Sequence, residues 1–195
     1  IIEARKLLRR AIELDPNYAA AHAWIAETYL ISLAMGWAES PSEVLGRAEE
    51  TAMKALNLDA SEVRARVVLG RVNIARHRYE EAQAEMARAI TTNPNNAGAL
   101  DGRGNVLMWL GQTDTAIELI EQAERIDPEL NAMDRFSLSL AYYLKHRYGA
   151  AIEQAELNLR DTANGNNFSR VVLAAAYAQD ERGEDAARVA AVIRR

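Results

Sequence analysis

The sequence predicts an all-α fold, a right-handed superhelical solenoid of antiparallel helix hairpins, and two repeating features predict it. One alanine recurs every 34 or 35 residues, at Ala48, Ala82, Ala116, Ala151 and Ala186. An aspartate or asparagine follows a second set of alanines by four residues, at Asp15, Asp59, Asn93 and Asp127. Such a period is typical of stacked helical hairpins. No stretch alternates apolar and polar residues with period two, so we expect no strands.

Three helices are expected before residue 60. Ile1–Leu14 is apolar at helical spacing and ends before Asp15-Pro16, and a second helix spans about Tyr18–Ala34. The third helix is expected to begin at Ser40, where Pro41 fits the first turn and Glu43 would complete a capping box, and to end at about Asn57.

The later helices form four hairpins, whose boundaries fall at glycine, proline or histidine. They are expected at about 62–75 with 79–90, 97–110 with 114–126, 132–145 with 148–159, and 167–179 with 184–193. We expect one domain with a half-repeat at 1–16 and hairpins at about 17–60, 61–94, 95–128, 129–163 and 164–195. Because the chain opens inside a helical pattern without a methionine, we expect it to be a fragment of a longer protein.

The composition excludes several classes of function. The 195 residues carry a net charge of −5, so a basic footprint for nucleic acid is absent. Without cysteine, disulfides, thiolate catalysis and cysteine-ligated metal centres are excluded. No apolar run approaches the roughly 18 residues of a membrane span. We therefore expect a cytoplasmic protein with no nucleic-acid partner of this domain, no membrane partner and no cofactor.

The repeats resemble the tetratricopeptide repeat family. The hairpin at 61–94 fits that pattern best, at Leu69, Gly70, Tyr79, Ala82, Met86, Ala89 and Pro94. The next hairpin fits at Gly104, Gly111, Ala116, Ile120, Ala123 and Pro128, although Arg103 replaces the expected leucine, and the last two hairpins lack the proline. The detailed sequence of the repeats is also similar to tetratricopeptide regions of bacterial signalling proteins. Those regions often follow a class III adenylate or guanylate cyclase domain or a winged-helix DNA-binding domain.

The first hairpin departs from the period. Ala4 and Ala48 are 44 residues apart, ten more than one repeat, and the excess falls between Tyr29 and Ala48. We expect it to lengthen both helices and the turn between them. It is either a tolerated loop extension or a projecting surface on which Trp37 anchors a partner.

No set of residues predicts catalysis or metal binding. Glu80 and Glu81 are neighbours in sequence, so on a helix they point about 100° apart and cannot act across a cleft. His77 and His146 share one repeat position, which Gly111 holds in between, and this favours a left-handed turn residue over a metal ligand. We predict no catalytic, cofactor-binding or metal-binding residue, and hence no enzyme.

The resemblance implies that the first helix of each hairpin lines a concave, peptide-binding groove. The candidate residues there are Arg64, Arg71, Asp101, Asn105, Met108, Trp109, Phe136 and Tyr143. Ala23, Glu27 and Val67 are further positions expected to be exposed in it. The Lys and Asn clamp of chaperone-binding members is not reproduced, so no heat-shock chaperone is predicted as partner.

The candidate residues have two interpretations. Arg71 could pair with a peptide carboxylate, Asn105 could bond a peptide backbone, and the aromatic residues could act as apolar anchors. Alternatively, the aromatic residues pack between repeats, and the arginines are solvated or paired with Glu27 and Asp101.

Two functions follow. The first is a non-catalytic protein-interaction module that binds a peptide or a partner helix in its groove. The alternative is a regulatory or dimerising segment of a bacterial adenylate cyclase or transcriptional regulator, with a homodimer formed through terminal hairpins or the Trp37 extension.

Overall fold

The computed structural model describes residues 1–128, 132–161 and 167–193, without the side chains of 132–134 and 161. That part of the chain contains eleven helices and no strand, which confirms the all-α prediction. The helices are α1 (Ile2–Leu14), α2 (Ala19–Ala34), α3 (Pro41–Leu58), α4 (Val63–Ala75), α5 (Tyr79–Thr92), α6 (Ala97–Trp109), α7 (Thr113–Ile126), α8 (Ala132–Leu144), α9 (Tyr148–Asp161), α10 (Asn167–Gln179) and α11 (Gly183–Ile193). The predicted hairpin boundaries near residues 129, 163 and 164 lie outside the described residues.

The chain divides into two compact units, Ile1–Val106 and Leu107–Arg195. In the first, unit 1, α2 pairs with α3 and α4 with α5, while α1 packs on α2 and the two first helices α2 and α4 also touch. In the second, unit 2, α8 pairs with α9 and α10 with α11, and α8 contacts both α7 and α10. The expectation of one domain stays a prediction.

The periodic alanines lie where helices pack most closely. Ala48, Ala82, Ala116 and Ala151 are fully buried, whereas Ala186 in the last helix is half-buried. The second set, Ala55, Ala89 and Ala123, is fully buried as well. Small side chains at these positions let two helix backbones approach, and each hairpin buries its remaining apolar face against its neighbour.

The second period has a local cause in the turns between hairpins. The side chain of Asp59 accepts the backbone N–H of Ser61 at 2.8 Å, and that of Asn93 accepts the N–H of Asn95 at 3.1 Å. The side chain of Asp15 does the same for Asn17 at 3.0 Å. Aspartate and asparagine are favoured here because their short side chains close this turn on the backbone.

The turn inside each hairpin contains one residue with positive φ. His77 and His146 both have φ of 58°, as the sequence predicts, and Gly111 has 78°. Gly36 plays this part in the first hairpin with 68°, and Glu181 in the last with 60°. The left-handed conformation is therefore imposed by the turn and not by the residue type.

The extra residues of the first hairpin lengthen both helices and the loop, as predicted. α2 has 16 residues against 13 in α4, and α3 has 18 against 14 in α5. The connecting loop spans residues 35–40, compared with 76–78 in the next hairpin. The expected capping box is wrong, because the side chain of Ser40 makes no cap hydrogen bond and Glu43 pairs with Arg47 instead.

Candidate protein-interaction face

Seven residues of unit 1 form what we call the first-helix face, because they lie on the first helices of successive hairpins. On each helix they are spaced by three, four or seven residues, which places them on one side. They are Trp24 and Glu27 on α2, Arg64 and Arg71 on α4, and Gly98, Asp101 and Asn105 on α6.

Arg64 stacks on Trp24. The guanidinium carbon of Arg64 lies 3.4 Å from the centre of the indole ring, a cation–π contact between α4 and α2. Trp24 remains 44% exposed and Arg64 is half-buried. Within the described residues, the guanidinium of Arg64 makes no ion pair and no hydrogen bond. Burial lowers the pKa of Arg64, and the charge of Arg71 acts in the same direction, although Glu27 and Glu62 oppose both.

Arg71 is committed to an ion pair. Its Nη1 lies 2.9 Å from Oε1 of Glu27, which joins α4 to α2 beside the Trp24 contact. Glu27 is only 8% exposed, so its charge depends on this partner. A Cβ at Gly98 would lie 3.5 Å from Nη2 of Arg71, so the missing side chain leaves room next to the pair.

Asp101 and Asn105 continue the face one and two turns further along α6. The side-chain amide of Asn105 donates to the Asp101 carboxylate at 3.0 Å and to its backbone carbonyl at 3.1 Å. Asp101 is 2% exposed. The side-chain amide of Asn105, which was expected to bond a peptide backbone, therefore donates to Asp101 of its own helix instead.

Several positions expected to be exposed are buried, and those predictions are wrong. Met108 is 5% exposed and belongs to the hydrophobic core of unit 2. Ala23, Val67, Glu27 and Asp101 are buried as well. The reason is that a first helix packs against its own hairpin partner and against neighbouring first helices, which leaves a narrower exposed stripe than periodicity suggests.

The aromatic candidates of unit 2 contact other aromatic side chains. Phe136 packs against Phe168 with ring centres 5.8 Å apart, which joins α8 to α10. Tyr143 packs against Tyr148 at 5.7 Å. Trp109 is 56% exposed. Whether these residues bind a partner stays a prediction.

Unit 2 also contains an open cavity of about 380 Å³. Its lining residues are Tyr143, Leu144, His146, Tyr148 and Gln179. His146 and Tyr148 are joined through Nδ1 and the phenol oxygen at 2.6 Å. The cavity presents aromatic faces and no carboxylate.

The loop of the first hairpin carries two exposed apolar side chains. Trp37 is 65% exposed and Met35 is 58% exposed. The alternative of a projecting surface on this loop therefore stays a prediction.

Trp24 and Gly98 are the residues of the first-helix face that the sequence did not predict, and Trp24 is the one with a side chain to bind a partner. Its position three residues before Glu27 was the available signal, because that spacing puts both on one side of α2. An aromatic residue at helical spacing usually belongs to a core, so the pattern alone could not show that the indole stays accessible.

The described part of the chain contains no group of three or more histidine, aspartate or glutamate side chains that could hold a metal ion. No helix there is both long and apolar enough to cross a bilayer.

Comparison with known proteins identifies the repeat. Residues 73–136 match the tetratricopeptide repeat family model. Transcriptional regulator HilA of Salmonella typhimurium is 28% identical over 141 residues, which cover 72% of this chain and 25% of HilA. This chain thus spans only a quarter of that relative.

Solved structures share the architecture. YrrB, described as a TPR protein with an unusual peptide-binding site, superposes with a TM-score of 0.60 at 21% identity, covering 93% of this chain and 88% of YrrB. The APC/C hetero-tetramer Cut9-Hcn1 gives a TM-score of 0.78 at 17% identity, covering 96% of this chain and 35% of the matched one. With its paired helices, its buried periodic alanines and the family match over residues 73–136, the chain has the tetratricopeptide repeat fold.

Proposed function

We propose that this chain is a non-catalytic module that holds an extended segment of a partner protein on the first-helix face of unit 1. The tetratricopeptide repeat fold supports a protein-interaction module in general. The observation that carries the finer proposal is the Arg64–Trp24 stack, because it combines an accessible aromatic surface with guanidinium N–H groups that no described residue engages. Tryptophan and arginine are the residues that most often dominate binding energy at interfaces.

The face is also shaped for close approach. Gly98 has no side chain beside Arg71 and Val67, so the backbone of an extended segment can come near α4 and α6 there. The Glu27–Arg71 pair below fixes the two helices relative to each other, which reduces the ordering cost of binding. YrrB, a solved structure of the same fold, is described as having an unusual peptide-binding site.

A blocking variant tests the proposal. A leucine in the Gly98→Leu variant would lie against Arg71 and Val67 and fill the face, whereas Gly46→Leu adds the same side chain where nothing lies within 4 Å of a Cβ. Linear peptides selected from a displayed random library against the chain are titrated into both variants. We expect Gly98→Leu to weaken their binding at least tenfold and Gly46→Leu to leave it unchanged, with equal helix content by circular dichroism.

Two results would contradict the proposal. One is equal affinity for Gly98→Leu and the unmodified chain. The other is failure of the library to yield any binder.

The similarity to HilA favours a second candidate function, a regulatory segment of a transcriptional regulator that acts through self-association. The outer side of α1 exposes Leu7 and Leu14, which are seven residues apart and so lie on one side of the helix. Sedimentation velocity of the chain would then show a concentration-dependent dimer that Leu7→Gln with Leu14→Gln removes. A monomer at every concentration argues against it.

A further inference from the structure

We infer that Arg64, held on the indole of Trp24, recognises the carboxylate of an aspartate or glutamate side chain within the bound segment. This inference rests on the proposed function, because it names the chemistry that the first-helix face selects. The inferred ligand is an acidic side chain at an internal position of an extended partner segment.

The first step is the lack of a counterion at Arg64. Most other half-buried arginines of unit 1 are engaged: Arg5 with Thr28 and Ser32, Arg66 with Glu85, Arg71 with Glu27, and Arg76 and Arg78 with Glu49. Arg103 is the exception among the described residues, and its Nε is buried without a hydrogen-bond partner. The guanidinium of Arg64 stacks on the indole and forms no ion pair or hydrogen bond among the described residues, although the charges of Glu27 and Glu62 raise its pKa from a distance. A half-buried cation without a directly bound anion is only partly compensated, and a partner carboxylate would supply the missing ion pair.

The geometry of the Arg64–Trp24 stack suits a carboxylate ligand. Stacking uses the flat face of the guanidinium, so its N–H donors point outward from the edge of the group. A carboxylate accepts two parallel hydrogen bonds from such an edge. Because the indole already orients the side chain of Arg64 at 3.4 Å, less freedom is lost when the ligand binds.

The surroundings of Arg64 favour an acidic side chain over the carboxyl terminus of a partner chain. The methylene carbons of an aspartate or glutamate would cover the exposed part of Trp24, whereas a terminal carboxylate brings no such stem. A terminus held by several donors would need help from Arg71 or Asn105. Both are occupied, Arg71 by Glu27 and the amide of Asn105 by Asp101.

Three synthetic peptide pools test the inference. They share degenerate flanking residues, have acetylated and amidated ends, and differ only in a central glutamate, glutamine or lysine. The protein is the chain with Trp37→Phe and Trp109→Phe, which leaves Trp24 as the only one of its three tryptophans. Indole fluorescence of Trp24 then reports occupancy of this site, and its titration gives the affinity.

We expect the glutamate pool to bind roughly tenfold more tightly than the glutamine pool, the size of effect usual for a charge-assisted pair. Arg64→Gln should remove this preference, and Arg64→Glu should reverse it in favour of the lysine pool. Arg88→Gln makes the same chemical change on α5, where Arg88 pairs with Glu85 away from the face, and should keep the preference.

The failures of the two proposals are distinguishable. If Gly98→Leu still blocks binding but the glutamate and glutamine pools bind equally, or the preference survives in Arg64→Gln, the inference is overturned and the proposed function stands. The same pools made with a free carboxyl terminus are the comparison, and a preference that appears only in them overturns the internal acidic residue. If no pool binds, or Gly98→Leu binds all pools normally, both are overturned.

Discussion

The thioether of Met86 occupies the space that a side chain at Gly102 would need. A Cβ at Gly102 would lie 2.8 Å from the sulfur atom of Met86, and a Cβ at Gly70 would lie 2.5 Å from its terminal methyl group. Met86 is fully buried. Because glycines of α4 and α6 both border it, the methionine cannot move away from one helix without approaching the other.

Gly102→Ala should therefore destabilise the chain although alanine is the better helix former. We expect a loss of about 1–3 kcal/mol in the free energy of unfolding, as for other overpacked cores. Gly46→Ala is the matched control: it lies within α3 with nothing within 4 Å of its Cβ, and should gain about 1 kcal/mol. Urea titration measures both, and a stabilised Gly102→Ala would show that Met86 repacks freely.

The turn residue with positive φ predicts opposite effects of two substitutions. Glu181 has φ of 60° and Gly111 has 78°. A left-handed backbone costs about 1–2 kcal/mol for a residue with a Cβ, so Glu181→Gly should stabilise the chain and Gly111→Ala should destabilise it by about that amount. Equal unfolding midpoints for Glu181→Gly and the unmodified chain would contradict this reasoning.

The buried histidine of α2 predicts a loss of stability in mild acid. His22 is 4% exposed, and burial lowers its pKa below the ordinary 6.5, an effect that Lys54 adds to and the carbonyl of Pro16 opposes. Below pH 6.5 the unfolded chain then binds more protons than the folded one, so stability falls as the pH drops from about 7 toward 5. Thermal unfolding of His22→Gln should show a smaller acid slope.

The exposed histidine His77 supplies the control for that measurement. His77→Gln should keep the slope of the unmodified chain, because its side chain is exposed in the turn. An unchanged slope in His22→Gln would show that other groups cause the pH dependence.

A tyrosine–glutamate hydrogen bond ties neighbouring hairpins of unit 2 and predicts sensitivity to alkali. The phenol of Tyr177 on α10 donates to Glu156 on α9 at 2.5 Å. Burial, followed by this bond, raises the pKa of Tyr177 to about 12, while Arg182 opposes the rise. The stability from this group is therefore complete below about pH 10 and is lost as the pH rises through about 12.

Tyr177→Phe should cost about 1–2 kcal/mol at neutral pH, since it removes the hydrogen bond and leaves the carboxylate without this donor. It should also reduce the slope of stability above pH 10. Tyr18→Phe is the control, because Tyr18 is 49% exposed, and it should change neither quantity. Ultraviolet titration of the phenols with and without Tyr177→Phe checks the assignment, and a Tyr177 phenol that ionises at its ordinary pKa of about 10 would refute it.

The helices were predictable and their side-chain pairs were not. Every helix begins and ends within two residues of its predicted limits, because the period of the alanines, the turn-closing Asp59 and Asn93, and the left-handed turns each have a local cause. The Arg64–Trp24 stack depends instead on how α2 lies beside α4. The ten extra residues raise the number of residues between equivalent positions of α2 and α4 from 34 to 44. The repeat period therefore does not relate Trp24 to Arg64.

Burial was the other property that periodicity misjudged. Met108 and Trp109 are neighbours on α6, yet one is 5% exposed and the other 56%. Neighbouring helices pack against α6 on two of its sides, so one residue can lie in the core while the next residue is exposed to solvent. Helical spacing fixes the angle between them but not the direction of the packing partners.

Among the described residues, contacts in each unit link helices that are at most two apart along the chain, such as α2 with α4 and α8 with α10. Closing such short loops costs little entropy, so either unit can begin folding at any hairpin and extend outward. Local topology of this kind is associated with folding in microseconds to milliseconds. It also explains how the first hairpin could grow by ten residues: only its immediate neighbours had to accommodate the change.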